Sequence, residues 1–187
     1  LYEMGFENSI PVLDNTMELD HLLERIKGNL KVGIRVAIEQ EPQSAYYTSR
    51  LGIRPSEVIK YYKEKIARKK RVQVTMLHLF VDTGIRDTLY YWGEFKKAIK
   101  IFAELKKICP SLTALNIGGG FPISNNLSFE YDYKYMVDEI VSNIKAVCSQ
   151  EGIEEPDIYT EFGKYTVGES GATIFTVLEQ KQQNDSE

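Results

Sequence analysis

The sequence predicts an α/β protein with a parallel sheet. Two observations carry this. Short apolar, β-branched runs alternate with longer stretches of helical period along the 187 residues. About five such strand–helix units follow one another, and that alternation calls for parallel strands joined by right-handed crossovers. Two architectures satisfy the pattern: an open doubly wound sheet, or part of a (β/α)8 barrel. A full barrel needs eight units and about 250 residues, so the barrel reading requires strands that would lie before Leu1.

The elements follow in order. Ile10 to Asp14 is a short apolar run suited to a strand. Met17 to Lys27 places Leu19, Leu22, Leu23 and Ile26 at helical spacing, with Asn15 or Thr16 as cap and Gly28 as stop. Lys31 to Ile38 alternates Val32, Ile34, Val36 and Ile38 with small or polar residues, as a strand does. Ser56 to Lys69 is a helix with Ser56 as cap, and Val72 to Val81 is a strand. Leu89 to Ile108 is a long amphipathic helix that Pro110 stops. Leu112 to Ile117 is a strand running into three glycines, Asp132 to Ser149 is a helix, and Asp157 to Glu161 is the last barrel-like strand. Beyond it, the run from Gly171 to Glu179 reads as a strand of a second domain. The division is therefore 1–170 for a barrel-like domain and 171–187 for the start of a C-terminal β-domain.

Composition excludes several classes. A net charge of -4 offers no basic face for nucleic acid. Cys109 and Cys148 lie far apart on predicted apolar helix stripes and read as buried thiols. With only His21 and His78, a histidine-rich metal centre is excluded. No apolar run reaches the roughly 18 residues that span a bilayer, and the first residues have no basic segment of the signal-peptide kind. A cytoplasmic protein is the expectation. Leu1 and the polar run Gln180 to Glu187 read as internal positions of a longer polypeptide.

Three strand ends carry candidate chemistry. Gly118, Gly119 and Gly120 follow an apolar strand; without Cβ atoms they can turn successive backbone N–H groups toward an anion. The plainer reading is a tight turn. The spacing is neither a dinucleotide fingerprint nor a P-loop. Glu161 closes the last strand, Gly163 allows a sharp exit, and Lys164 is near enough to serve the same ligand; alone, Glu161 reads as a solvated strand end. At the third end, Phe80 can stack on a flat ligand and Thr83 can bond a phosphate, against a plainer reading of core aromatic and turn residue. His78 alone reads as a hydrogen-bonded core histidine. An aromatic face, an anion cradle and a carboxylate together suit pyridoxal 5'-phosphate, whose ring, phosphate and pyridine nitrogen need those three partners.

The glycine turn, the segment Glu161 to Tyr165 and the block His78 to Asp87 resemble the fold-type III decarboxylases that use pyridoxal phosphate. The resemblance runs from about Lys31 to the end and is strongest to the biosynthetic arginine branch, through Ile85, Arg86 and Asp87 and through Tyr47 to Ile53. It implies a partial TIM-type barrel. It also implies a phosphate loop at Gly118 to Gly120, Glu161 on the pyridine nitrogen as the catalytic carboxylate, and Thr83 on the phosphate. Phe80 stands where the family places a ring-stacking histidine. Lys164 replaces an arginine and with it a bidentate fork.

The resemblance further implies that the lysine anchoring the coenzyme lies before Leu1. The substrate-binding aspartate and a catalytic cysteine would lie in the later domain, so this piece alone would be inactive. It implies a lyase of polyamine biosynthesis that decarboxylates L-arginine to agmatine, acts as a homodimer and uses magnesium in the parent enzyme, for which no evident site is visible here. The alternatives are a decarboxylase for diaminopimelate, ornithine or carboxynorspermidine, a non-catalytic regulatory homologue, and a barrel for another phosphorylated metabolite.

Overall fold

A computed structural model of the chain describes residues 9–38, 51–81, 83–124, 129–171 and 174–178. Among the described residues five parallel strands form one sheet: β1 (Val12–Leu13), β2 (Leu30–Val36), β3 (Val72–Leu79), β4 (Ala114–Asn116) and β5 (Asp157–Tyr159). Their spatial order is their sequence order. That order decides between the two architectures. A doubly wound sheet reverses direction at a switch point, whereas an unbroken run of right-handed crossovers puts every helix on one side and curls the sheet into an arc of a barrel.

The register defines two faces. Ile34, Leu77, Leu115 and Ile158 align in one row, and Arg35, His78, Asn116 and Tyr159 in the next. Successive residues of a strand point to opposite sides, so the first row faces the helices and the second faces the barrel interior. The core forms on the helix side, where Ile34, Leu77 and Leu115 meet Phe95, Ile99 and Phe102, all fully buried.

These core aromatics belong to α3 (Leu89–Ile108), whose bounds match the periodic stretch. Thr88 caps it by accepting from Tyr91 N at 3.1 Å. Helix α4 (Tyr133–Glu151) is capped by Asp132, which accepts from Tyr135 N at 2.9 Å, and it ends at Gly152 in the left-handed region. It buries Met136, Ile140, Ile144 and Cys148 on one stripe.

Other boundaries differ from expectation. Helix α1 (Glu18–Arg25) stops at Ile26 rather than Gly28. The Arg71 guanidinium donates to the carbonyls of Leu23 and Ile26, so a residue distant in sequence finishes the helix. Neither Asn15 nor Thr16 is its N-cap; Met17 is, and Asn15 Oδ1 accepts from the Met17 amide. Ser56 is not a cap either: α2 (Pro55–Tyr61) has Pro55 in its first turn after Arg54, and it passes into a π-helical turn at Tyr62–Ile66. Strands β2 to β5 are shorter than their apolar runs, which continue into loops.

A short helix, α5 (Gly163–Val167), follows β5. Of the strand expected at Gly171 to Glu179, residues 171 and 174–178 have no regular secondary structure and are exposed; 172–173 and 179, with 180–187 of the expected second domain, lie outside the described residues. So do Tyr47 to Arg50 of the Tyr47 to Ile53 stretch, whose last residue bridges to Val36. Both cysteines are buried and free. Among the described residues no helix is long and apolar enough to cross a membrane.

Phe102 fills the space between α3 and the sheet with no solvent exposure. Phe102→Ala in the full-length protein is expected to lower unfolding free energy by about 3–5 kcal/mol, read from urea midpoints. Leu89→Ala, at a side chain 95% exposed, is expected to change it by less than about 0.5 kcal/mol.

Candidate active site at the C-terminal ends of the strands

The loops after β3, β4 and β5 meet at the sheet edge where barrel enzymes place their sites. Backbone hydrogen bonds staple them together. Ile85 N donates to Gly120 O at 3.0 Å, and Glu161 N donates to Gly118 O at 2.8 Å. Phe121 and Phe162, the residues just after the glycine turn and the carboxylate, pack with ring centroids 4.4 Å apart. Tyr131 and Tyr133 close on Phe121 edge-on, and the Tyr131 hydroxyl donates to Ile85 O at 2.7 Å.

The glycines make this approach feasible. At Gly119 the turn lies against the backbone of Glu161, where a Cβ would collide with its carbonyl. Gly120 has φ +110 and touches Gly84, a contact that leaves no room for a side chain on either residue.

The loops border a cleft of about 1200 Å³, ample for a molecule of coenzyme size. Phe80, Thr83, Gly119, Gly120, Glu161 and Lys164 all line it. Gly118 and Gly163, expected with them, do not. The Gly118 amide donates inward to Asn116 Oδ1 at 2.8 Å, and that of Gly163 to Glu161 O at 2.9 Å. Both N–H groups are therefore used in shaping the turns, and the cradle narrows to Gly119 and Gly120.

The carboxylate is held from below. Asn116 Nδ2 donates to Glu161 Oε1 at 2.8 Å. Sequence reading missed Asn116, although its place two residues before the glycines, at the end of an apolar strand, was available as a signal. His78, expected as a satisfied core histidine, sits beside the same oxygen. Its Nε2 is 3.6 Å from Glu161 Oε1, and neither ring nitrogen has a hydrogen-bond partner among the described residues. The separation would allow an ion pair with a protonated ring. Burial, the largest influence, pushes the His78 pKa below its ordinary 6.5; Glu161 and Asp14 oppose this and Arg35 reinforces it. We take the ring as neutral, because desolvation outweighs a carboxylate that is itself 56% exposed. The lining of the cleft also includes Arg86, Asp87 and Tyr135. Asp87 Oδ1 accepts from Trp92 Nε1 at 2.7 Å. Of these wall residues, Arg86 and Asp87 were named at the sequence level only for their resemblance to the arginine branch. Among the described residues no cluster of histidine, cysteine or carboxylate side chains could hold a metal.

The donor set matches a flat anionic coenzyme: glycine amides, a hydroxyl and an ammonium for a phosphate, an aromatic ring for a flat face, and a fixed carboxylate. Comparison with known proteins agrees. Residues 3–168 match the family model described as the pyridoxal-dependent decarboxylase, pyridoxal binding domain. The chain belongs to this family.

Among curated relatives, the biosynthetic arginine decarboxylase of Prochlorococcus marinus (strain MIT 9215) is 23% identical over 92% of this chain and 29% of that protein. The chain therefore spans less than a third of such relatives. Among solved structures, the biosynthetic arginine decarboxylase of Campylobacter jejuni superposes with a TM-score of 0.61 at 26% identity, covering 82% of this chain and 26% of that one. The diaminopimelate decarboxylase of Helicobacter pylori complexed with L-lysine reaches 0.66 at 14% identity, over 83% and 40%. The second likeness speaks for the fold alone. With the sequential strand order, these matches establish the parallel α/β sheet as part of a decarboxylase barrel domain.

The depressed His78 pKa has a definite linkage sign. A ring that resists protonation when folded contributes stability that is present above pH 6.5 and is lost as pH falls from 6.5 through the lower folded value. Urea midpoints of the full-length protein are expected to fall between about pH 7.5 and pH 5, with a smaller fall in His78→Phe; equal slopes would refute the assignment.

Proposed function

We propose that the protein containing this chain is a pyridoxal-phosphate-dependent arginine decarboxylase that converts L-arginine to agmatine and carbon dioxide. The observation that carries this reading is the joint placement of the glycine turn and the Glu161 carboxylate on one cleft. Bound pyridoxal phosphate would supply the electron sink for loss of the carboxylate.

The chain's own residues have separable tasks. Gly119 and Gly120 offer amides to the phosphate, Thr83 a hydroxyl and Lys164 a point charge. Phe80 packs against the flat face, where it can neither donate a proton nor add charge. Glu161 holds a proton at the pyridine nitrogen, and Asn116 keeps that carboxylate aimed. The lysine that anchors the coenzyme and the groups that recognise the substrate side chain would come from other parts of the protein.

Arginine as the substrate rests on the names of the curated relatives and on the Ile85 to Asp87 resemblance. With it go a role in polyamine biosynthesis, a cytoplasmic location, a homodimer with shared sites, and magnesium in the intact enzyme. Residues 171–187 are read as the beginning of a C-terminal β-domain. The runner-up is a decarboxylase acting on diaminopimelate or another basic amino acid. It stands because the glycine turn and Glu161 address the coenzyme and leave the substrate side chain to other groups. Phe80 and Lys164 favour a third reading, a homologue that regulates a partner decarboxylase.

The test is purified full-length protein assayed with arginine, ornithine, lysine and diaminopimelate. Carbon dioxide release from arginine in preference to the others is expected, and Glu161→Ala is expected to lower turnover by at least about 100-fold. Preference for another amino acid would overturn the substrate assignment. Wild-type turnover in Glu161→Ala would overturn the role of the carboxylate.

A further inference from the structure

His78 is the polar side chain of the inner face whose needs are not met. Its side chain is 9% exposed and both ring nitrogens are unpartnered among the described residues. Its neighbours in the row are committed elsewhere. Arg35 carries only donors and lies 3.7 Å from Asp14. Asn116 accepts from Gly118 N through Oδ1 and donates to Glu161 through Nδ2. Among the described residues, the carboxylate within 4 Å of a His78 ring nitrogen is that of Glu161, with Oε1 3.6 Å from Nε2.

We propose that His78 is a positioning residue for Glu161, donating from Nε2 to Oε1 and, together with Asn116, fixing the bearing of the carboxylate toward the cleft. At 3.6 Å the pair is too long for a hydrogen bond. The adjustment falls on Glu161, whose side chain is 56% exposed. A rotation that moves Oε1 by roughly 0.6 Å brings the two atoms to normal donor–acceptor separation. Site hydrogen bonds commonly tighten in this way when a ligand is present. Two donors then occupy the lone pairs of Oε1, and Oε2 alone is left to face a ligand. Burial keeps the ring neutral, so it supplies a dipole and a direction without cancelling the charge that Glu161 presents. The inference rests on the reading of Glu161 as the partner of a pyridine nitrogen, but the contact itself can be tested apart from it.

The test uses full-length protein and two readouts. The first is the tautomer of His78 by long-range proton–nitrogen correlation at about pH 7.5, above the ordinary histidine range, with and without pyridoxal phosphate. The expected result is a neutral ring protonated on Nε2 whose resonance moves in Glu161→Ala. A ring protonated on Nδ1, or an Nε2 signal indifferent to Glu161→Ala in both states, overturns the proposal. The second is the Kd for pyridoxal phosphate from its visible absorbance. Gln places an amide donor near the position of Nε2, whereas Phe fills the volume without a donor. His78→Gln is expected to bind within about twofold of wild type. His78→Phe is expected to bind about tenfold more weakly while melting at the same or a higher temperature, because a buried unpartnered polar group is gone. A packing role predicts the reverse order, with Phe tolerated and Gln not, and that order overturns the proposal. If wild-type protein binds no pyridoxal phosphate, the proposed function fails, and the tautomer decides the His78 contact by itself.

Discussion

The hydrogen bond from Asn116 Nδ2 to Glu161 Oε1 is the contact on which the site depends. Glu161 lies two residues past the end of β5, outside the hydrogen-bonded ladder. In that setting a carboxylate would sample many rotamers and act as a general surface charge. Tethered at 2.8 Å to a buried amide on the adjacent strand, it acquires a direction. Asn116 is itself fixed, because its other amide atom accepts the Gly118 N–H. One side chain thus holds both the carboxylate and the first residue of the glycine turn and ties the two together.

Backbone stapling extends this coupling to the third loop. Gly120 O receives the Ile85 amide, and Gly118 O receives that of Glu161. The loops approach more closely than a side chain permits at Gly119, whose Cβ would meet the Glu161 carbonyl, and at Gly120 and Gly84, which press on each other. The aromatic pair Phe121 and Phe162 closes the same junction from the side. Apolar packing therefore secures the loop exits, while polar groups are left to point into the cleft.

Phe80 and Lys164 give the cleft a character of its own. An aromatic hydrocarbon such as Phe80 can offer a flat ligand contact but no proton. A lysine ammonium contributes charge without the paired donors of a guanidinium. In the proposed function, direction at a bound ring would rest on Glu161, which Asn116 holds.

Much of the fold was legible in the chain. The helices Leu89–Ile108 and Tyr133–Glu151 were readable because long amphipathic periods with a polar cap and a proline or glycine stop are local signals. The strand ends were less so, since apolar runs continue past the last ladder bond into buried loops. The end of α1 was misplaced because Arg71, dozens of residues away, takes its last carbonyls. In the site, Phe80, Thr83, Gly119, Gly120, Glu161 and Lys164 were named from the sequence and share one cleft. Gly118 and Gly163 were grouped with them because amide direction is not written in residue type. The sequence by itself determined the parallel α/β pattern, the succession of its elements along the chain and which strand ends bear polar groups, because hydrophobic period and turn chemistry are properties of neighbouring residues. Only the tertiary structure decided that the sheet curls as a barrel arc and that Asn116 and His78 stand under Glu161, because those facts depend on the register between strands distant in the chain.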